Sequence, residues 1–345
     1  MSTHSSSEQS HGDGSGQGHG SGHGHGHGDG SGHRHGHGHG DGHGQKHGHG
    51  HSHDHGDIDW GAMADMLEEN GDLHLPALRQ VAARLGGLFG SGTSVRRVLD
   101  IGSGPGVMTC ALAEAFPDAE AVAVDGAPAL LDRALARAER TGLGGRVTVR
   151  HAELPGDLEA DENGLPGLGE ADLIWSKQAV HHLGDQQGAL DALAGTLRPG
   201  GVLAVAEGGL PMRFLPRDFG LGRPGLQARL DVVHEDWFEI MRSELPGSVG
   251  TVEDWPAMMS RAGLTEVTAF TYLVDLPAPL DPAARAFLRD HLTRMRDVMS
   301  ELLDADDIKT LDVLVDPTAP EGIMRRPDVF MLSATTVVAG VRPAS

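Results

Sequence analysis

Cysteine, aromatic residues and long apolar runs are all scarce in this chain. One cysteine, Cys110, occurs in 345 residues. A single thiol makes neither an intramolecular disulfide nor a cysteine-based zinc cluster. Aromatic residues are 4% of the total, which leaves no evident stacking platform for a nucleobase. No run of 18 apolar residues exists, so no membrane-spanning helix is expected. The N-terminal residues include no apolar signal segment, and a cytoplasmic protein is the expectation. Positive charge is short as well. The 27 Lys and Arg face 49 Asp and Glu, a formal net charge of −22 with His neutral. That balance argues against nucleic acid or an anionic membrane as partner.

Histidine and glycine are abundant, but unevenly placed. Residues 1–56 are mostly Gly, His, Ser and Asp and hold sixteen of the 22 histidines. So few apolar residues cannot form a core, and a disordered tail is expected there. His23, His25 and His27, and again His35, His37 and His39, alternate with Gly or its like. Flexible imidazole pairs of this kind can take up zinc, nickel or copper adventitiously. They cannot hold a rigid open catalytic site, and no metal is expected in the fold itself. Residues 57–345 are expected to form one domain with a helical start over 57–92, where Pro76 separates two helices.

The domain is organised around Val98 to Gly106, VLDIGSGPG. A short apolar run followed by three glycines reads as a buried parallel strand, a tight turn and a helix N-terminus. Such a turn lets a ligand approach the backbone and offers it free N–H groups. A second strand, EAVAV, ends at Asp125-Gly126, about 20 residues past the turn, where a carboxylate can take both hydroxyls of a ribose. A third strand, RVTVRH, leads into Ala152-Glu153-Leu154, with a carboxylate and an apolar side chain suited to an adenine. A fourth, ADLIW, leads into Ser176 and on to His181-His182. A fifth, Val202 to Ala206, ends at Glu207.

This βαβαβ order predicts an α/β fold, a Rossmann-like doubly wound and mostly parallel seven-stranded sheet. Every polar candidate follows a strand C-terminus, which is where such sheets bind ligands. Two helical insertions, about 208–250 and 276–327, are expected to form a cap over that edge. Phe214, Phe219, Trp237, Phe238 and Met241 either line it or fill its core.

At this point the chain resembles the class I S-adenosylmethionine-dependent methyltransferases, in particular the small-molecule group that includes the ubiquinone and menaquinone enzymes. VLDIGSGPG is similar to the family's first motif, AVAVDG to its second and HAEL to its adenine segment. SKQAVHHL, LRPGG and EDWPAMMSRAGL follow in the family's order. The resemblance implies S-adenosylmethionine as co-substrate, held by Asp100, Gly102, Ser103, Gly104, Gly106, Asp125, Gly126, Ala152, Glu153, Leu154 and Ser176. Asp100 and the glycines would hold its methionine half. Glu153 stands where Asp is commoner. His181 or His182 is then expected as base or acceptor hydrogen-bonder, with Glu207 as orienter or alternative base, and His234, Glu235 and His291 as outside candidates. The acceptor is expected to be a small molecule (natural-product or quinone-like by analogy of fold) and the protein a monomer or homodimer. A nicotinamide dehydrogenase would want glycine at position 107, which is Val. The alternative function is a metal-binding or storage protein that uses the His-rich tail on an inactive scaffold. A methyltransferase-like fold doing cyclisation or decarboxylation is a third reading.

Overall fold

The computed structural model describes residues 60–90, 93–158 and 167–344. The tail histidines His23, His25, His27, His35, His37 and His39 lie outside the described residues. The chain runs through α1 (Ala64–Gly86), β1 (Arg97–Ile101), α2 (Val107–Ala115), β2 (Glu120–Asp125), α3 (Pro128–Arg140), β3 (Val147–His151) and β4 (Ala171–Lys177). It continues through α4 (Gln186–Thr196), β5 (Leu197–Arg213), α5 (Leu226–Glu244), α6 (Trp255–Arg261), β6 (Thr265–Leu276), α7 (Pro282–Val298), α8 (Ala305–Val315) and β7 (Met331–Val341). The sheet order is β3-β2-β1-β4-β5-β7-β6, and only β7 runs against its neighbours. The order reverses between β1 and β4, so the crevice of the switch point lies over their C-terminal ends.

Alternation along the central strands sorts side chains into two apolar layers. Val98, Leu173, Trp175, Val202 and Ala204 meet Leu78, Val81 and Leu85 of α1, Leu112 of α2, and Leu288 and Leu292 of α7. Leu99, Ile101, Ile174, Leu203 and Val205 meet Leu190 and Leu193 of α4 and Met258 and Met259 of α6. Asp100 pairs in register with Trp175, and so it points into the first layer, beneath α1 and α2.

Two expectations are corrected. Pro76 does not separate two helices; α1 is one helix of 23 residues with the proline inside. An interior proline costs about 3 kcal/mol. Burial of Leu78, Val81, Ala82 and Leu85 just beyond it offsets that cost at roughly 1.5–3 kcal/mol for each large side chain. Gly71 on the same helix lies so close to Val107 that an added Cβ would come within 2.4 Å of its Cγ2. Residues 208–213 do not belong to the cap either. They extend β5, which pairs with β7 as far as Arg213 opposite Leu332. The pairing shifts register between Ala206 and Gly209 and between Leu210 and Arg213. Those bulges accommodate the glycines and Pro211 of this stretch.

Of the proposed cap aromatics, Phe214 and Phe219 are core side chains. Trp237 and Phe238 are only partly buried. No described helix is long and apolar enough to cross a membrane.

Candidate active site

Three positive-φ glycines shape the turn after β1, and their surroundings differ. A Cβ on Gly102 would sit 2.5 Å from Ala179 Cβ, and one on Gly106 would sit 2.6 Å from Ala134 Cβ. A Cβ on Gly104 would meet nothing within 4 Å. The outer two glycines are therefore packing requirements, while Gly104 faces open space where a ligand can reach the backbone. The Gly104 N–H donates to Asp125 Oδ2 at 2.9 Å, and Ala127 N–H donates to Oδ1 at 2.9 Å. Each carboxylate oxygen keeps a free lone pair for a further donor such as a sugar hydroxyl. Burial pushes the Asp125 carboxyl up, against the N–H groups of Ala127 and Gly104. Ala152 N–H donates to Asp125 O at 3.1 Å, and the His151 ring bonds Gly126 O at 3.0 Å. Gly104, Asp125, Gly126 and Ala152 thus form one rim. Ser103 is nearly buried in the turn, its N–H bonded to Val124 O at 3.0 Å.

Asp100 lies below this rim and is 2% exposed. Thr109 Oγ1 donates to its Oδ2 at 2.6 Å. Burial raises its carboxyl to about 7, and the neighbouring Asp125 charge adds to the rise against the Thr109 bond. Lys177, at the end of β4 on the same face, donates to Gln178 Oε1 at 2.6 Å. Burial lowers its ammonium to about 8, while the charges of Glu207 and Asp100 hold it up.

Ala179, which packs on Gly102, begins the turn that carries the two histidines. Glu207 is buried and its Oε1 accepts from Ala179 N at 3.1 Å and Val180 N at 3.0 Å. Its Oε2 lies 2.7 Å from His181 Nδ1. A carboxylate accepts, so Nδ1 carries the proton. His181 Nε2 lies 3.1 Å from His182 Nε2. Burial, helped by the neighbouring His181 and Arg242, lowers His182 to about 4. A neutral His182 then donates from Nε2, and His181 Nε2 presents a lone pair. Trp60 meets His182 edge-on with ring centres 6.2 Å apart, and Phe238 of α5 meets His181 at 5.4 Å.

A family profile described as a methyltransferase domain matches residues 99–203. A trans-aconitate 2-methyltransferase of Methylobacterium radiotolerans is 30% identical over 225 residues, covering 59% of this chain and 78% of that protein. The chain belongs to the class I S-adenosylmethionine-dependent methyltransferases. A demethylmenaquinone methyltransferase of Thermus thermophilus is 35% identical over 113 residues, 32% of this chain and 47% of that protein. A solved S-adenosylmethionine-dependent methyltransferase of Geobacter sulfurreducens, in complex with S-adenosylhomocysteine, aligns at 19% identity and a TM-score of 0.42 over 78% of this chain and 90% of that one.

The methyltransferase gathers most of the sequence candidates on one edge of its sheet, but not all of them in one way. Glu153 is 81% exposed at the rim, 3.7 Å from His151, and its N–H donates to Asp157 Oδ2 at 2.6 Å. Leu154 is partly buried and precedes a cis peptide bond to Pro155. Ser176 is fully buried on the α4 side of the sheet, and its Oγ has no partner among the described residues. His234 stacks on Trp237 and Phe238 on α5, and His291 stacks on Phe287 on α7. Glu235 is exposed.

Sequence reasoning passed over three residues of the methyltransferase that hold this edge together. Thr109 and Lys177 are two, and a lysine closing a central parallel strand was a readable signal. Arg242 is the third. Its guanidinium donates to His181 O at 2.7 Å, Leu183 O at 2.6 Å and Gly184 O at 3.4 Å, tying α5 to the histidine turn. Nothing local in the sequence announces that contact. Open clefts at the other end of the strands, one lined by Ala194, Pro199, Leu264 and Arg342, hold none of these residues. Among the described residues no group of three or more His, Cys, Asp or Glu is arranged to hold a metal.

Proposed function

We propose that the methyltransferase acts on a small-molecule acceptor under its helical cap, with His181 taking the acceptor's proton and Glu207 holding His181 in place. The observation that carries this reading is the contact of Ala179 with Gly102. It makes the ligand turn and the His181–Glu207 pair neighbours on one rim.

The donor residues fit a cationic nucleoside ligand. The open face of Gly104 admits it, Asp125 keeps lone pairs for two ribose hydroxyls, and Asp100 supplies a carboxylate beneath the turn for an amino group. Gly102, Ser103, Gly106, Gly126, Ala152, Glu153, Leu154 and Ser176 complete the proposed donor site. When bound, S-adenosylmethionine supplies an already activated methyl on a sulfonium, so the protein's task is alignment, exclusion of water and proton removal.

His181 is suited to the last of these. Its Nδ1–H is committed to Glu207, which fixes the tautomer and leaves the Nε2 lone pair for the acceptor's proton. As the acceptor's lone pair forms its bond to the methyl carbon, the carbon–sulfur bond breaks, its electrons stay on sulfur, and the acceptor proton passes to Nε2. Glu207 then faces an imidazolium and stabilises it. His182, held neutral, donates to Nε2 in the resting arrangement and gives way to the acceptor.

Incubation with isotopically labelled S-adenosylmethionine and a cell extract, followed by mass analysis, tests the reading. A product heavier by one methyl, lost in His181→Ala with S-adenosylhomocysteine binding retained, supports it. Unchanged turnover in His181→Ala refutes the role of His181.

A further inference from the structure

Helix α7 carries four arginines, and three have evident partners. Arg285 donates to the carbonyls of Leu280, Ile323 and Arg326 at 2.6–2.8 Å. Arg289 pairs with Asp290, and Arg296 pairs with Asp297 and Asp312. Arg294 is half-buried and has no carboxylate, carbonyl or ring as partner among the described residues. Lost hydration alone holds its guanidinium below the usual arginine range. A partly desolvated cation without a counterion is costly, and proteins ordinarily pair it.

Its surroundings indicate what the missing partner is. Phe287, His291 and Arg294 lie on one stripe of α7, four and then three residues apart. The Phe287 and His291 rings stack 6.0 Å apart. His291 lies in the field of Arg294 and of His234 on α5, and His234 lies in that of His181. His234 stacks on Trp237 at 5.8 Å and on Phe238 at 6.4 Å, and Phe238 meets His181 at 5.4 Å. A row of rings thus runs from the His181–Glu207 pair to His234 and Trp237 on α5, and His291, beside Arg294 on α7, lies in the field of His234. Within it the Trp237 indole N–H is buried and has no acceptor among the described residues. The acids nearest His234 do not fill the gap. Asp231 is held by Arg213 at 3.0 and 2.5 Å, and Glu235 is exposed.

We propose that this row is the acceptor subsite and that the methyl acceptor is an organic anion whose oxyanion is held by Arg294, His291 and the Trp237 indole N–H. The proposal rests on the methyl-transfer reading above. A guanidinium fork matches carboxylate and phosphate alike, but the charge count favours carboxylate. Burial lowers His291 to about 4, so near neutral pH it is an uncharged donor and Arg294 is the cation beside it. One positive charge balances a carboxylate and leaves a phosphate monoester, with nearly two negative charges, half compensated.

The test uses the full chain saturated with S-adenosylhomocysteine and three probes that each carry a six-carbon chain: hexanoate, hexanamide and hexyl phosphate. Calorimetric binding of S-adenosylhomocysteine is measured first, and its absence would sink the methyl-transfer reading rather than this one. With it present, hexanoate is expected to bind at least about tenfold more tightly than hexanamide, the worth of one charge-assisted hydrogen bond. Arg294→Gln is expected to erase that preference without changing S-adenosylhomocysteine affinity or lowering the Tm, and Arg294→Lys to restore part of it. Tighter binding of hexyl phosphate than of hexanoate, also lost in Arg294→Gln, would retain the oxyanion site and reassign its source to phosphate. Equal binding of hexanoate and hexanamide, no saturable hexanoate binding, or a preference that survives Arg294→Gln would overturn the proposal.

Discussion

Substituting alanine in turn for Gly102, Gly104 and Gly106 separates packing from ligand binding within one turn. All three have positive φ, at +67°, +54° and +75°. Each alanine therefore costs about 1 kcal/mol or somewhat more for left-handed backbone. For Gly104 the cost ends there, because its Cβ would meet nothing within 4 Å. For Gly106 the new methyl would lie 2.6 Å from Ala134 Cβ and 2.9 Å from its Cα, where about 3.5–4 Å is comfortable. Helices α2 and α3 must separate, at roughly 1–3 kcal/mol for overpacking. For Gly102 the obstacle is Ala179 Cβ at 2.5 Å, and Ala179 is held to Glu207 through its N–H. At about 2–4 °C per kcal/mol for a domain near this size, Gly104→Ala should lower the Tm by only a few degrees. The other two should lose roughly two to four times as much. Titration calorimetry with S-adenosylhomocysteine should show the reverse order for the donor site, with Gly104→Ala losing affinity most directly because its methyl occupies the ligand's approach. Gly102→Ala should in addition lose turnover at saturating donor, since the histidine turn moves with Ala179. Wild-type donor affinity in Gly104→Ala, or equal Tm losses in all three variants, would refute the division of roles.

Other expectations follow from the same geometry. Glu207→Gln keeps an oxygen for the N–H groups of Ala179 and Val180 but turns an amide N–H toward His181 Nδ1; the reversed tautomer should lower kcat by about 10²-fold or more with donor affinity unchanged, as steady-state kinetics beside calorimetry would show. Arg242→Ala removes the donor to three carbonyls of the histidine turn and should cost about 1–3 kcal/mol in urea unfolding, with a larger fall in kcat than in donor affinity. Asp100 is protonated below about 7, and a cationic donor favours its ionised form, so donor affinity should rise as pH rises toward 7 and fall up to about tenfold per pH unit below it. In Asp100→Asn the slope between pH 5 and 7 should flatten and the donor-free Tm at pH 8 should rise; a wild-type slope in that variant would exclude Asp100 as its source.

The strand-end geometry behind the proposed donor site was legible because its parts are local. Strand, glycine turn and helix are adjacent in sequence, and Asp125 and Glu207 each close an apolar strand. The pairing of Glu207 with His181 spans 26 positions but follows from the turn after β4 lying beside β5, its parallel neighbour. What sequence could not convey were encounters between distant elements. Pro76 reads as a break because local rules do not register the apolar face of α1 waiting beyond it. Gly208, Gly209 and Pro211 read as the start of an insertion because the bulges that seat them depend on β7, over a hundred residues later. Arg242 and Arg294 look like ordinary solvated helix charges until one meets three carbonyls and the other meets nothing.

The charges kept under the glycine turn argue that stability has been given up there for binding. The Asp125 charge raises the affinity of Asp100 for protons, and Lys177 is partly deprived of its hydration between Asp100 and Glu207. An apolar side chain in place of a buried ionised group commonly leaves a fold as stable or more so. Asp100, raised above its ordinary value, stabilises the fold most at low pH and loses that contribution as pH rises through about 7. Near neutral pH the donor-free protein therefore carries a carboxylate it would rather protonate. A cation bound above it reverses the sign of that preference, since the ionised form is then the paired form. At the proposed donor site the carboxylate that weakens the empty fold would strengthen the loaded one, a coupling that the backbone of the turn alone does not supply.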